Sequence, residues 1–352
     1  MTVQRFIFVL LLVVASGPLA APAQSAQPAA APSSHAMHVS VIAETKSGQP
    51  VANLTQQDFT VLDNKSQRPI TSFNIVTPAD EPVEVIVLLD AVNMSYQGVA
   101  YARDGVLRFL KSNEGQLANP TSIAVLTDQG APMDTGFVKD GNALSDALQH
   151  QQIGLRTITR SSEWSGPDRL TLCINALQQL IASASTLPGR KIVLWVSPGW
   201  PLVSGPHIYL DTKQQQQIFN EVVQLSTQLR ENHLTLYNLN PAGVSESLGQ
   251  ANYYEAFQKG IAKPSQAQLG NLAIQVLAAQ SGGLVIEGNS DVNAMIQRCL
   301  ADAKSWYDIG FDPLPADKQN EYHHIEIKVN RPGVVARARD GYYANPVEVQ
   351  PR

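Results

Sequence analysis

The pattern of apolar and polar positions changes twice along this chain of 352 residues. At both ends, apolar residues alternate with polar ones, which predicts strands with one buried face. In the middle, short runs of β-branched and aliphatic residues alternate with segments that have a helical spacing of apolar residues. This pattern predicts an α/β domain at 81–304, with a doubly wound, mostly parallel sheet and helices on both faces. The flanking β segments are 36–80 and 305–345.

The strand Val83–Asp90 organises the middle segment, because it is the densest apolar run there and ends in a carboxylate. A carboxylate at that position lies at the carboxyl edge of the sheet, where open α/β sheets bind their ligands. Farther along the chain, Asp211 followed by Gln214 predicts a capping box at the start of a helix.

The two ends of the chain are expected to pair, because three short strands form too small a core alone. Strands predicted near Phe59 and at Ile70–Val76 would join strands at Trp306–Phe311 and 324–329 in one small antiparallel β unit. His323 and His324 are neighbours in such a strand, so their side chains point to opposite faces and cannot chelate one metal together.

Composition narrows the function classes. Apolar residues make up 44% of the chain and charged residues 16%, as in an ordinary globular protein. The net charge of -5 gives no basic field, which argues against nucleic acid as a partner.

The N-terminus predicts export. Arg5 precedes the apolar run 6–14, and Ala21-Pro22-Ala23 offers a small-residue cleavage site, so 1–23 is interpreted as a signal peptide. The alternative is a membrane anchor, although the apolar run is shorter than the ~20 residues that a span needs. Residues 24–35 are rich in Ala, Pro, Ser and Gln and predict a flexible tether, and 346–352 form a short tail. No later segment is predicted to span a membrane.

The two cysteines, Cys173 and Cys299, would meet an oxidising compartment after export, where a disulfide between them is one interpretation. Each lies on the apolar stripe of a predicted helix. The other interpretation, two buried free thiols that behave as small apolar groups, is favoured.

These features resemble the von Willebrand factor type A domain: the apolar strand that ends in Asp90, the strand and helix alternation, and a strand before Ser197-Pro198-Gly199. The blocks Asp58-Phe59, Ile70–Phe73 and Gly341–Ala344 look more specifically like the type A-related secreted proteins of Acidobacteria. The resemblance covers nearly the whole mature chain. It implies a binding module, and nothing in it implies an enzyme.

The resemblance also implies one divalent cation at the carboxyl edge of the sheet, held by a D-x-S-x-S motif together with a threonine and an aspartate from later loops. Asp90 keeps the first position, but Val92 and Met94 stand where the two serines are expected, and neither can bind a hard cation. Hydroxyl and amide groups are displaced to Asn93 and Ser95. The other candidate ligands are Asp168, Thr171 and Ser197.

Two accounts of this edge stay open. In one, displaced oxygen ligands rebuild an unusual site for Mg²⁺ or another divalent cation around Asp90. In the other, the metal is lost and Asp90 accepts hydrogen bonds from backbone amides or from Arg169, or caps its loop. Asp128, Arg169 and Trp200 would form a ligand-facing rim, although a tryptophan at this place more often covers the sheet edge.

No catalytic residue is predicted, because the sequence has no G-x-S-x-G elbow and no Gly-rich phosphate loop. We expect an exported binding or adhesion module whose partner is a protein or another extracellular or envelope component. One alternative is a secreted hydrolase with Asp90 and Asp128 as paired carboxylates. Another is a structural envelope protein without a site.

Overall fold

The computed structural model describes residues 36–133, 136–151, 166–201, 209–241 and 253–346. The predicted signal peptide, the tether and residues 347–352 of the tail lie outside these ranges. None of the described helices is both long and apolar enough to cross a membrane.

The described chain is an α/β protein with strands at both ends. The first strands are β1 (Met37–Thr45), β2 (Phe59–Asp63), β3 (Ser66–Arg68) and β4 (Ile70–Val76). The middle elements are β5 (Val83–Asp90), α1 (Tyr96–Leu110), β6 (Gln116–Leu126), β7 (Val138–Asp140), α2 (Gly141–His150), α3 (Gly166–Ala184), β8 (Arg190–Val196), α4 (Thr212–Glu231), β9 (Leu234–Leu239), α5 (Ile274–Gln280), β10 (Val285–Ile286) and α6 (Val292–Leu300). The last strands are β11 (Trp306–Phe311), β12 (Glu321–Val329), β13 (Val334–Arg337) and β14 (Gly341–Ala344).

Six strands form the central sheet in the order β10-β9-β8-β5-β6-β7. All neighbours are parallel except β7, which is an antiparallel edge strand. Alternate residues of β5 enter two separate cores: Ile86 and Leu88 pack with α3 and α4, and Val87 and Leu89 pack with α1 and α6. The strand order reverses between β5 and β8, which makes their carboxyl ends the topological switch point of the sheet.

The two chain ends form two antiparallel sheets with the orders β13-β1-β11-β4 and β14-β12-β2-β3. Strands from the N-terminal end pair with strands from the C-terminal end in both sheets, as in the registers of β1 with β11 and of β2 with β12. One apolar core, which includes Val41, Phe59, Ile309 and Tyr342, lies between them. The predicted single β unit is therefore a sandwich of two four-stranded sheets.

Local signals explain where helices begin. Asp211 and Gln214 form the predicted capping box at the start of α4. Before α5, a 3₁₀ turn at Leu269–Leu272 occupies the start of the segment, so that α5 itself is short.

A buried ionic cluster joins the sandwich to the α/β domain. The Asp302 carboxylate accepts hydrogen bonds from the Tyr237 hydroxyl at 2.7 Å and from Arg337 Nη2 at 2.5 Å. Arg298 lies 3.6 Å from the other Asp302 oxygen and donates to Glu44 of β1 at 2.5 Å. Because Glu44 and Arg337 belong to the sandwich, this cluster fixes it against β9 and α6.

Candidate functional site

The Asp90 carboxylate lies at the switch point, where β5 ends beside β8, and it is fully buried. Its Oδ1 accepts hydrogen bonds from the backbone N–H groups of Val92 and Asn93, both at 3.0 Å. Its Oδ2 accepts one from Asn93 Nδ2 at 2.8 Å and one from the indole Nε1 of Trp195 at 3.0 Å. Four N–H groups of the protein itself therefore satisfy this carboxylate.

Burial dominates the electrostatics of this carboxyl group and raises the pKa of Asp90. Hydrogen bonds from Asn93, Trp195 and Ser197 act in the opposite direction and lower the same pKa. Asn93 Nδ2 also lies 3.1 Å from the Cys173 sulfur. Burial, and then the Asp90 charge, raise the pKa of the Cys173 thiol, so a neutral thiol contacts the buried carboxylate cluster.

The structure brings together only part of the predicted ligand set. Asn93 and Ser197 lie next to Asp90, as described, and the Ser197 hydroxyl also accepts a hydrogen bond from Gly199 N. The Ser95 hydroxyl instead caps α1 by accepting a hydrogen bond from the Gly98 N–H at 2.9 Å. Asp168 and Thr171 lie at exposed positions of α3.

The described residues around Asp90 do not fit a divalent cation. Each oxygen of Asp90 already accepts hydrogen bonds from two N–H groups. The positive ends of these N–H groups point at the carboxylate, so they would repel a cation bound to the same oxygens. Val92 is buried in the apolar core on the α3 side, and Met94 packs against the core on the α1 side. Among the described residues, no three His, Cys, Asp or Glu side chains are grouped as a metal site.

The predicted rim is also different in the structure. Trp200 is only 4% exposed and packs edge-on against Trp195, with ring centroids 5.2 Å apart, so it covers the sheet edge and is not an exposed anchor. Asp128 lies half-buried in the turn after β6. Arg169 is half-buried near Cys173, and the Arg169 charge lowers the pKa of the Cys173 thiol. The Nε atom of Arg169 has no hydrogen-bond partner.

The disulfide interpretation is not realised. Cys173 and Cys299 are both free and buried. Cys173 belongs to the core on the α3 side of the central sheet, and Cys299 to the core on the α6 side. Because the sheet separates them, their sulfur atoms cannot reach the ~2 Å bonding distance.

A pocket of about 400 Å³ opens at the same sheet edge. Its lining combines apolar and polar groups from α1 and from the segments that follow β5, β8, β9 and β10: Met94, Gly98, Tyr101, Pro198, Pro241 and Ser290. The Tyr101 hydroxyl donates to the Ser290 carbonyl at 2.8 Å, which holds the tyrosine ring at the pocket wall. Tyr96 and Tyr101 are 65% and 44% exposed, so two aromatic rings project from the first half of α1.

Sequence reasoning missed Trp195 as a partner of Asp90. The alternation of side chains along each strand places Asp90 and Trp195 on the same face of the sheet. They become neighbours through the register of β8 on β5, and no sequence pattern indicates that register.

A second polar cluster, inside the sandwich, was also missed. His323 is buried, whereas its neighbour His324 on the opposite face is exposed, and His323 Nδ1 lies 3.0 Å from Asp63. The Tyr342 hydroxyl also donates to this carboxylate. The predicted alternation of the two histidines is therefore present, but the partners of the buried one come from distant strands.

Comparisons with known proteins give no family. No protein-family model matches the sequence, and no curated protein matches it. Among solved structures, proximal thread matrix protein 1 from the mussel byssus is 13% identical with a TM-score of 0.35, and the match covers 63% of this chain and 48% of that one. This chain thus spans about half the length of the mussel protein.

Two further solved structures show similarly low likeness. The N-terminal domain of TFIIH p34 is 13% identical with a TM-score of 0.31, covering 64% of this chain and 99% of that one. A mutant of the PilB minor pilin from Streptococcus sanguinis is 9% identical with a TM-score of 0.34, covering 63% of this chain and 62% of that one. These similarities are too low to support an inference about function.

Proposed function

We propose that this chain is an exported, von Willebrand type A-like binding module that engages a protein or envelope component through the carboxyl edge of its central sheet, without a divalent metal. The observation that carries the proposal is the pocket between Met94, Tyr101, Pro198 and Pro241, which opens at the topological switch point. Concave sites with apolar walls and a few polar groups are the usual places for ligand binding.

The strand order and the position of Asp90 support the type A-like interpretation. A type A domain would bind its ligand at the carboxyl ends of the two central strands, and Asp90 lies there, at the ends of β5 and β8. The metal-free interpretation is supported by the four N–H donors around Asp90. In place of a metal, the exposed rings of Tyr96 and Tyr101 supply contact area beside the pocket. Tyrosine is among the residues that most often dominate binding energy at protein interfaces.

The hydrolase alternative has little support from the site. Asp90 is enclosed and hydrogen-bonded on both oxygens, so it cannot reach a substrate as an acid or a base. Asp128 alone, in the turn after β6, gives no carboxylate pair.

The test compares capture of envelope proteins by the immobilised mature chain and by variants. We expect Tyr96→Ala and Tyr101→Ala to weaken capture of a specific partner about tenfold or more, because hot-spot tyrosines contribute about 2 kcal/mol each. Ile75→Ala is the matched control, since Ile75 is a comparably exposed apolar residue, 46%, on β4 of the sandwich.

Removal of divalent cations by a chelator distinguishes metal-free binding from metal-dependent binding. Capture that is unchanged by EDTA and by added Mg²⁺ agrees with the proposal, whereas capture abolished by EDTA and restored by Mg²⁺ contradicts its metal-free part. A partner that binds all three variants equally, or no saturable partner at all, favours a structural envelope protein without a site at this edge.

A further inference from the structure

Strand β4 forms one edge of the sheet β13-β1-β11-β4 in the sandwich, where β11 is its neighbour. It has seven residues, whereas the other edge strands of the described sheets, β3, β7, β10, β13 and β14, have two to four. No backbone hydrogen bond joins the open side of β4 to another described segment. The main-chain N–H and C=O groups on that side can therefore pair with an additional strand.

The sequence of β4 lacks the devices that usually keep an edge strand from pairing. Natural edges are protected by charged residues, by proline or by a very short strand. Ile70–Val76 contains no charged residue, no proline and no glycine, and it is rich in β-branched and aromatic residues. An uncharged segment with such a high β propensity favours pairing with another strand.

The side chains of β4 are also suited to an added strand. Phe73 and Ile75 lie opposite Ile309 and Tyr307 of the sandwich core, which places them on the inner face of the sheet. The Phe73 ring packs against the Tyr307 ring, with centroids 5.7 Å apart, but Ile75 is 46% exposed. Asn74 is exposed on the other face. A strand beside β4 would therefore cover the apolar side chain of Ile75 without burying a charged residue of β4.

The second half of the strand is the part that remains available. At the other end, the side-chain amide of Gln56 donates to the Ile70 carbonyl at 3.3 Å. The register between β4 and β11 also shifts near Ile70. Residues 72–76 are therefore the regular part of the open edge.

A second copy of this segment is complementary to the first. Antiparallel pairing about a two-fold axis at Asn74 places Ile75 of each copy opposite Phe73 of the other, and aromatic and β-branched residues stabilise each other in such cross-strand pairs. The nearest charged residues before and after the strand are Arg68 and Asp80. Antiparallel pairing brings the Arg68 end of one copy to the Asp80 end of the other, so charges of opposite sign flank the pair at both ends.

The segment 24–35, which lies outside the described residues, is the other candidate from this chain. It contains Pro28 and Pro32. Proline has no N–H group to donate to a strand ladder. The segment is therefore a poorer partner for β4 than a second β4.

We propose that two copies of this chain associate through β4, as antiparallel strands about a two-fold axis at Asn74, so that one sheet runs through both copies. Main-chain hydrogen bonds supply most of the affinity in strand addition. A shortened side chain beside the axis, as in Ile75→Ala, therefore leaves the pair formed. The surface contains no residue of the pocket at the carboxyl edge, so the association does not depend on the proposed function.

The experiment is sedimentation equilibrium of the mature chain at about 1–100 μM, in which we expect a reversible monomer–dimer equilibrium. Asn74→Lys and Asn74→Glu each place like charges opposite each other at the axis and should weaken the dimer about fivefold. An equimolar mixture of the two variants should recover the affinity of the wild type, because opposite charges then meet at the axis. Val335→Lys is the matched control, since Val335 is 42% exposed on β13 at the other edge of the same sheet, and its dimer should be as stable as that of the wild type.

Disulfide formation tests the position of the axis. Asn74→Cys places two thiols directly opposite each other, near the ~4 Å between Cβ atoms that a disulfide needs. Mild oxidation should give a covalent dimer of Asn74→Cys and none of Val335→Cys, and the two native cysteines do not compete because both are buried.

Two results would overturn the proposal. The first is a mature chain that stays monomeric over the whole concentration range; protection of the β4 amides from hydrogen exchange in that monomer would indicate that the segment 24–35 covers the edge. The second is a dimer that neither charge substitution at Asn74 weakens and that Asn74→Cys does not crosslink, because such a dimer would use another surface.

Discussion

Replacing Asp302 with alanine would take away the shared acceptor at the junction of the sandwich and the α/β domain. The Asp302 side chain is 1% exposed, and its Oδ2 accepts both the Tyr237 hydroxyl and Arg337 Nη2. Removal of one partner of a buried ion pair costs about 3–5 kcal/mol, because the remaining charge is left uncompensated. Arg337 retains Glu44 at 3.9 Å, which places the expected loss near the lower end of that range.

Two further variants show how much of this loss comes from the hydrogen bond with Tyr237 and how much from the ion pair with Arg337. Tyr237→Phe removes only the hydroxyl donor and should cost about 1 kcal/mol. Asp302→Asn keeps an acceptor oxygen but not the charge, so its cost should lie between those of the other two. The double variant Tyr237→Phe with Asp302→Ala should cost less than the sum of the single changes, because both remove the same hydrogen bond.

The assay is urea unfolding followed by tryptophan fluorescence, which reports on Trp195 and Trp306 in the two buried cores. Stability differences come from the shift in midpoint at unchanged slope. An Asp302→Ala variant within about 1 kcal/mol of the wild type would refute the argument that this carboxylate compensates buried charge. Strict additivity in the double variant would show that Tyr237 and Asp302 do not interact.

Two further predictions concern the cores. Burial raises the folded-state pKa of Asp90 above its ordinary value of 3.8, so the stability that its protonated form contributes is present below pH 3.8 and is lost as pH rises through the folded pKa. The difference in unfolding free energy between wild type and Asp90→Asn should therefore be most favourable to the wild type at low pH and shrink as pH rises; a constant difference in urea titrations across pH would contradict this. Cys173 and Cys299 are buried free thiols, and burial raises the pKa of each. Neither should react with DTNB in the folded protein and both should react in denaturant, whereas a lack of reaction in denaturant without reductant would indicate a disulfide.

The sequence predicted element types better than the contacts between elements. Dense apolar runs such as Val83–Asp90 and the capping box at Asp211 are local signals, and both are present in the structure. The register of β8 on β5 is not local, so nothing in the sequence placed the indole of Trp195 against Asp90. Trp200 is a local case: it closely follows Trp195 in the sequence and packs against it in the same core, in agreement with the expectation that a tryptophan at this place more often covers the sheet edge.

The cysteines illustrate a further limit. Helical spacing placed Cys173 and Cys299 on apolar stripes, and both are indeed buried. Which face of the sheet each helix covers depends on the handedness of the crossover connections and on strand order, which spacing does not contain.

The pairing of the two chain ends has a consequence for how this protein acquires its structure. Strand β1 finds its neighbour β11 across a separation of 270 residues, as the contact between His38 and Asp308 shows. Contacts so distant in sequence form late, because the entropy of closing the intervening loop must be overcome first. The backbone edges of β1 and β4 stay open until β11 and β13 are available, and open edges invite pairing with other chains. The chain must therefore be synthesised through β14 before both sheets of the sandwich can close, which makes this closure a late step of folding.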